Sequence, residues 1–210
     1  MSWNRIYADI SRAVGEVASY NGDEIELFVY PEKFDRLVVG KLVLINCSGP
    51  VKVLGIVKEL IHAPRHSSFS PLHMTRAEIE KAYPDLSEYH RFSSTIVYTS
   101  VLRGEKVSHT RIIVPRLHDL AFIVEDKDLL LRFFMPGGSL DLTFMRYYLK
   151  HVDTTTFRDF LITNHDVISK IISNDRNFSE FIKKITIELI KLGKSPEKYL
   201  SEISEILTRP

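Results

Sequence analysis

The sequence predicts an α+β protein: a small closed β-barrel followed by a C-terminal α-helical domain. Three observations point there. Apolar and polar residues alternate over 24–31, directly after an Asn21-Gly22-Asp23 turn signal. Two later runs, 41–47 and 51–61, are β-rich, the first of them apolar on both faces, and from Ser139 onward apolar residues recur at helical spacing between good stops. A strand apolar on both faces needs cover on both sides, which a barrel wall packed against a second layer supplies.

Taken in order, residues 12–20 form the first arm of a hairpin, with Val14 and Val17 about Gly15, and Gly15 is a candidate bulge. Over 24–31, Ile25, Leu27 and Val29 share one face while Glu24, Glu26, Phe28 and Tyr30 share the other. Ser48-Gly49-Pro50 turns 41–47 into 51–61, with Gly55 near the middle of that run. Residues 62–92 read as an insertion: a Ser-, Pro- and His-rich loop, then a short helix opened by the capping-box pattern Thr75-Arg76-Ala77-Glu78 and ended by Pro84. The strand signal returns over 94–102. Arg103-Gly104-Glu105 turns it into a strand over 106–114 that Pro115 closes, and 120–124 is a last short apolar run.

Residues 126–134 carry Leu129, Leu130, Phe133 and Phe134 at helical spacing. Phe157, Leu161, Ile168, Ile171 and Ile172 form one stripe. Asn177, with Glu180 three residues on, caps a second helix bearing Phe178, Phe181, Ile182, Ile185 and Leu189, which Gly193 ends. Ser195 and Pro196 open a third, with Tyr199, Leu200, Ile203, Ile206 and Leu207 on its apolar side. The expected division is 1–125 for the barrel with its 62–92 insertion and 126–210 for the helices.

The 210 residues hold 28 Lys and Arg against 27 Asp and Glu, a net charge of +1. This balance excludes a broadly basic nucleic-acid-binding protein and leaves room only for a local basic face. Neither part concentrates charge, since 1–150 holds 19 basic and 18 acidic residues and 151–210 holds nine of each. No run approaches the roughly 18 apolar residues a membrane span needs. A soluble, cytoplasmic protein with no membrane partner is therefore expected. Cys47, the single cysteine, stands at the end of an apolar strand and reads as a buried thiol.

No catalytic residue set is legible, and the expectation is a protein that is not an enzyme and carries no cofactor. Neither G-x-x-x-x-G-K-[ST] nor G-x-G-x-x-G nor G-x-S-x-G occurs. Pro136-Gly137-Gly138-Ser139 lacks the lysine of a phosphate loop and reads as an interhelical turn. His62, His66, His73, His90, His109 and His118 crowd one stretch, but Pro64 splits the first pair and no third ligand follows closely, so no metal is expected. Glu125, Asp126 and Asp128 stand where a helix begins, a position that favours acidic residues without further function. One segment does point to a function. Arg91, Arg103, Lys106, Arg111 and Arg116, interleaved with Tyr89, Phe92 and Tyr98, have the composition of a phosphate-tracking surface with stacking rings. An ordinary solvated barrel face with cross-strand pairs is the alternative.

The run Phe34-Asp35-Arg36-Leu37-Val38-Val39-Gly40-Lys41-Leu42-Val43-Leu44-Ile45, followed by Val53-Leu54-Gly55-Ile56-Val57, resembles the HAS barrel. That is the small β-barrel at the N-terminus of HerA-type DNA translocases and of ATP synthase catalytic subunits. Ile112-Ile113-Val114-Pro115-Arg116-Leu117-His118-Asp119 resembles the proline-marked exit from that barrel in archaeal HerA-like chains. The resemblance covers residues 12–125 and implies a barrel that helps assemble a hexameric ring and, in HerA, docks a nuclease. The ATPase core that should follow is replaced by the helices from Ser139 on, so ATP hydrolysis and translocation are not implied. The expected function is a non-enzymatic adaptor or assembly module in archaeal DNA processing, docking an ATPase, a nuclease or another repair protein. The alternative is a direct nucleic-acid-binding protein that holds DNA through Arg91, Arg103, Lys106, Arg111, Arg116 and Tyr98. A homo-oligomer is compatible with the apolar stripes of the last two helices.

Overall fold

The computed structural model describes residues 7–64 and 90–207. The helix expected over 75–84, with the rest of 65–89, lies outside the described residues. Among the described residues there are seven strands: β1 (Gly15–Tyr20), β2 (Glu24–Val29), β3 (Leu42–Asn46), β4 (Val51–Pro64), β5 (His90–Arg103), β6 (Lys106–Ser108) and β7 (Leu120–Ile123). All pairings are antiparallel, and β2 pairs with both β1 and β5. The strands β1, β2, β5, β4, β3 and β7 thus close a six-stranded barrel, with β6 a short flap beside β5.

The alternation read in the sequence decides which side chains fill this barrel. Ile25, Leu27 and Val29 of β2 are fully buried inside with Val43, Ile45, Val53, Val57 and Ile96. The two-faced strand β3 turns Leu42 and Leu44 outward into a second core shared with the helices. Two register shifts, at Leu54/Gly55 and Val57/Glu59, bend the long β4–β5 ribbon around the ring. Gly55 is required there because a Cβ would lie 2.4 Å from Ile96 Cγ2 and 2.8 Å from the Val97 carbonyl oxygen. The bulge expected at Gly15 lies instead between Val17 and Ser19. A second expectation is also corrected: the strand foreseen over 106–114 ends at Ser108, and residues 110–116 carry no helix, turn, bend or ladder.

Six α-helices follow among the described residues: α1 (Lys127–Phe134), α2 (Met145–His151), α3 (Thr154–Thr163), α4 (His165–Ile171), α5 (Asp175–Lys191) and α6 (Pro196–Leu207). The stripe from Phe157 to Ile172 is two helices, broken at Asn164. That amide donates to the Gly40 carbonyl, as well as to that of Phe160, both at 2.9 Å. The cap of α5 is Asn174, whose side chain accepts from Asn177 N at 2.8 Å, three residues before the expected one. The helices cover the outer barrel wall with an aromatic cluster in which Phe144 lies 4.5 Å from Phe133 and Tyr148 lies 5.2 Å from Phe160. The closest interlock is at Gly40. Its φ is +87°, and a Cβ would stand 2.5 Å from the Cα of Phe160, so the loop before β3 lies directly on α3. Thr163 Oγ1 donates to the adjacent Val39 carbonyl at 2.7 Å.

Candidate functional site

The residues singled out in the sequence do not form one face. Arg91 and Arg103 sit at the two ends of β5, twelve residues apart, which at about 3.3 Å per residue is about 40 Å along the strand. Arg91 is ion-paired with Glu26 of β2. Tyr98 points into the barrel and is fully buried, so the stacking role expected of it is corrected. Its hydroxyl accepts from Ile113 N at 3.3 Å, its ring meets Tyr20 edge-on at 6.3 Å, and desolvation pushes its pKa up to about 12. Tyr89 lies outside the described residues.

Arg111 is also committed. Its guanidinium lies 4.1 Å above the Tyr147 ring of α2 and pairs with Asp23 in the β1–β2 turn. Asp23 collects two more partners from the end of α2, Lys150 Nζ at 2.5 Å and His151 Nε2 at 3.0 Å. These hydrogen bonds, that from Lys150 foremost, hold the Asp23 carboxyl well below the ordinary carboxylate range. Beside it, Lys58 reaches Glu24 at 2.7 Å, and His151 Nδ1 stands 3.5 Å from the same carboxylate. Asp23 therefore ties the barrel turn, the segment after β6 and the helical layer together. Its partners Arg111, Lys150 and His151 are thereby engaged within the fold.

The groups with reactive potential are similarly withdrawn. Cys47 is buried, and desolvation, reinforced by Asp119, pushes its thiol up to about 12. His109 is buried against Phe133 and Phe144, with Nδ1 2.7 Å from Ser100 Oγ. Its Nε2 has no hydrogen-bond partner among the described residues, and desolvation holds its pKa below the ordinary histidine value. Asp126 caps α1 by accepting from Leu129 N at 2.8 Å. Among the described residues no group of three His, Cys, Asp or Glu side chains could hold a metal ion. His66 and His73 lie outside the described residues, whereas His62 stacks on Phe92 at 4.3 Å with Phe34 edge-on to both.

Within residues 103–117 two kinds of residue stay exposed. Arg103 and Lys106 face each other across the β5–β6 hairpin, and with Arg116 they are exposed cations that form no ion pair among the described residues. Between the hairpin and β7 run residues 110–116. Ile113 packs inward and Pro115 is buried, while Ile112 and Val114 are 62% and 65% exposed; just beyond, Leu117 is 63% exposed. Sequence reasoning found Ile112 and Val114 but assigned them to a paired strand. It missed Asp23, Tyr147, Lys150 and His151, for which only the turn signal at Asn21-Gly22-Asp23 was available. Elsewhere, a groove of about 480 Å3 between α1, α3 and α4 exposes Leu131 and Ile162 beneath a rim of mixed charge. Among the described residues no helix is long and apolar enough to cross a membrane. No protein-family model matches the chain, and neither does any curated protein.

Proposed function

We propose that the protein is a non-enzymatic adaptor whose barrel docks another protein. The observation that carries this reading is the strip of Ile112, Val114 and Leu117, three large apolar side chains each more than three-fifths exposed in one short stretch. Single exposed apolar residues are ordinary on a protein surface, but contiguous ones mark sites of association. The resemblance to the HAS barrel supplies the class of partner, an ATPase, a nuclease or another DNA-processing protein. The closed barrel, with Gly40 at its helix-facing turn and Gly55 at a bend, is compatible with that resemblance.

The test is affinity capture from native extract of the source organism with the full chain and with an Ile112→Asp/Val114→Asp variant. A DNA-processing protein recovered by the wild type and lost with the variant supports the reading. Recovery of no such protein, or equal recovery by both, removes it. A second reading, direct DNA binding, is favoured by Arg103 and Lys106 at the hairpin tip, which form no ion pair among the described residues. It predicts affinity that falls steeply with salt and weakens in Arg103→Ala/Lys106→Ala. Undetectable or salt-insensitive binding to single-stranded, duplex and branched DNA rules it out.

A further inference from the structure

We infer that residues 110–114 are the template for strand addition, and that the partner supplies an extended peptide alternating apolar with acidic residues. The inference rests on the adaptor reading and names its surface and chemistry. Exposure alternates from Thr110 to Pro115, with Thr110, Ile112 and Val114 exposed and Arg111, Ile113 and Pro115 half-buried or buried, the period of an extended chain, whose successive residues point their backbone groups to opposite edges. Ile113 N is turned toward the barrel, to Tyr98 Oη at 3.3 Å. Thr110, Ile112 and Val114 therefore present N–H and C=O groups along the opposite edge, where their N–H groups have no backbone partner among the described residues. Pro115, the one residue without an N–H, falls on the barrel-facing edge and does not interrupt this row. Unpaired backbone beside exposed β-branched side chains is what a partner strand extends.

Charge selects the occupant. Residues 103–118 contain Arg103, Lys106, Arg111 and Arg116 against the single acid Glu105. Glu105 is paired with Arg132 and Arg111 with Asp23, which leaves Arg103, Lys106 and Arg116 to attract carboxylates. A second copy of this chain would bring like charge against like charge. Exposed apolar side chains beside unpaired main-chain groups suit a peptide, not a nucleic-acid backbone.

The test pans a displayed random-decapeptide library against the immobilised full chain, then measures the selected peptides, synthesised free, by fluorescence anisotropy. Enrichment of Asp or Glu alternating with β-branched residues is expected, with affinity at least tenfold weaker for Val114→Pro, which removes an outward N–H. Ile112→Thr keeps its N–H and should retain most of the affinity. A thermal melt matching the wild type confirms that Val114→Pro is folded. Amide exchange at Thr110, Ile112 and Val114 should slow on peptide addition. Absence of enrichment, peptides without acidic residues, or affinity unchanged by Val114→Pro overturns the inference. So does a dimer of the chain that Val114→Pro dissolves, or competition of the peptides by DNA at equal strength. If native capture recovers the same partner with wild type and Val114→Pro, strand addition fails and the adaptor stands. If the wild type recovers none, the adaptor reading fails whatever the peptides do.

Discussion

Replacing Gly40 with alanine should loosen the helical layer from the barrel. The Gly40 φ of +87° already disfavours any L side chain, at about 1–2 kcal/mol. The added Cβ would meet the Phe160 Cα at 2.5 Å and the Phe160 N at 3.0 Å. Those atoms are backbone within α3, so no rotamer change relieves the contact and the helix must shift. Overpacking of this kind costs about 1–3 kcal/mol. The shift also disturbs the Asn164 and Thr163 hydrogen bonds to the Gly40 and Val39 carbonyls. The sum is about 2–5 kcal/mol, which at a urea m-value of about 2 kcal/mol/M lowers the midpoint by about 1–2.5 M. Gly49→Ala is the control: its φ is +115°, yet nothing lies within 4 Å of the added Cβ. It should lose the conformational part alone. Urea unfolding followed by circular dichroism reads both. A Gly40→Ala midpoint no lower than that of Gly49→Ala would refute the claim that contact with α3, and not backbone angle, fixes this position.

Three further outcomes are expected. Asp23→Asn, which leaves Arg111, Lys150 and His151 without their carboxylate, should destabilise the fold at neutral pH by about 1–3 kcal/mol, measured by thermal unfolding. Because the Asp23 pKa is lowered in the folded state, its contribution is complete above the unfolded carboxylate value and is lost as pH falls below it, so the variant should show a shallower acid limb. His109 is held neutral by burial, so the unfolded chain takes up its proton first; stability should decline as pH falls below the ordinary value of 6.5, and a His109→Gln variant should flatten that slope between pH 7 and pH 5. Sedimentation should give the mass of one 24.3 kDa chain, since cations flank the exposed strip in every copy, whereas a stable hexamer would favour ring assembly over docking.

What the sequence made legible was local. The two-residue period of 24–31 placed Ile25, Leu27 and Val29 on one face, which is the barrel interior, because alternation fixes side-chain direction without reference to any neighbour. The helix stop at Gly193 and the helix start at Pro196 depend likewise on nearby backbone alone. The segment after Ser108 shows where this ends: its alternation is real, but a ladder needs a partner strand, and none lies beside it among the described residues. The charged face dissolved for the same reason. Arg111 finds Asp23 across 88 residues and His151 finds it across 128, and no spacing rule connects such pairs. Tyr98 carried an ambiguous signal, since an aromatic on a strand suits an interior as well as a stacking surface. The contact of Gly40 with Phe160, 120 residues away, has no local signal at all.

The most direct test of the docking account is amide hydrogen exchange across the full chain, free and with a partner captured by it. In the free protein, Thr110, Ile112 and Val114 should exchange rapidly while Val53, Leu54 and Ile56 of β4 exchange slowly. In the complex, protection should appear at Thr110, Ile112 and Val114. Protection confined to the Arg103–Lys106 hairpin tip or to the groove of Leu131 and Ile162, with these three amides unchanged, would contradict it.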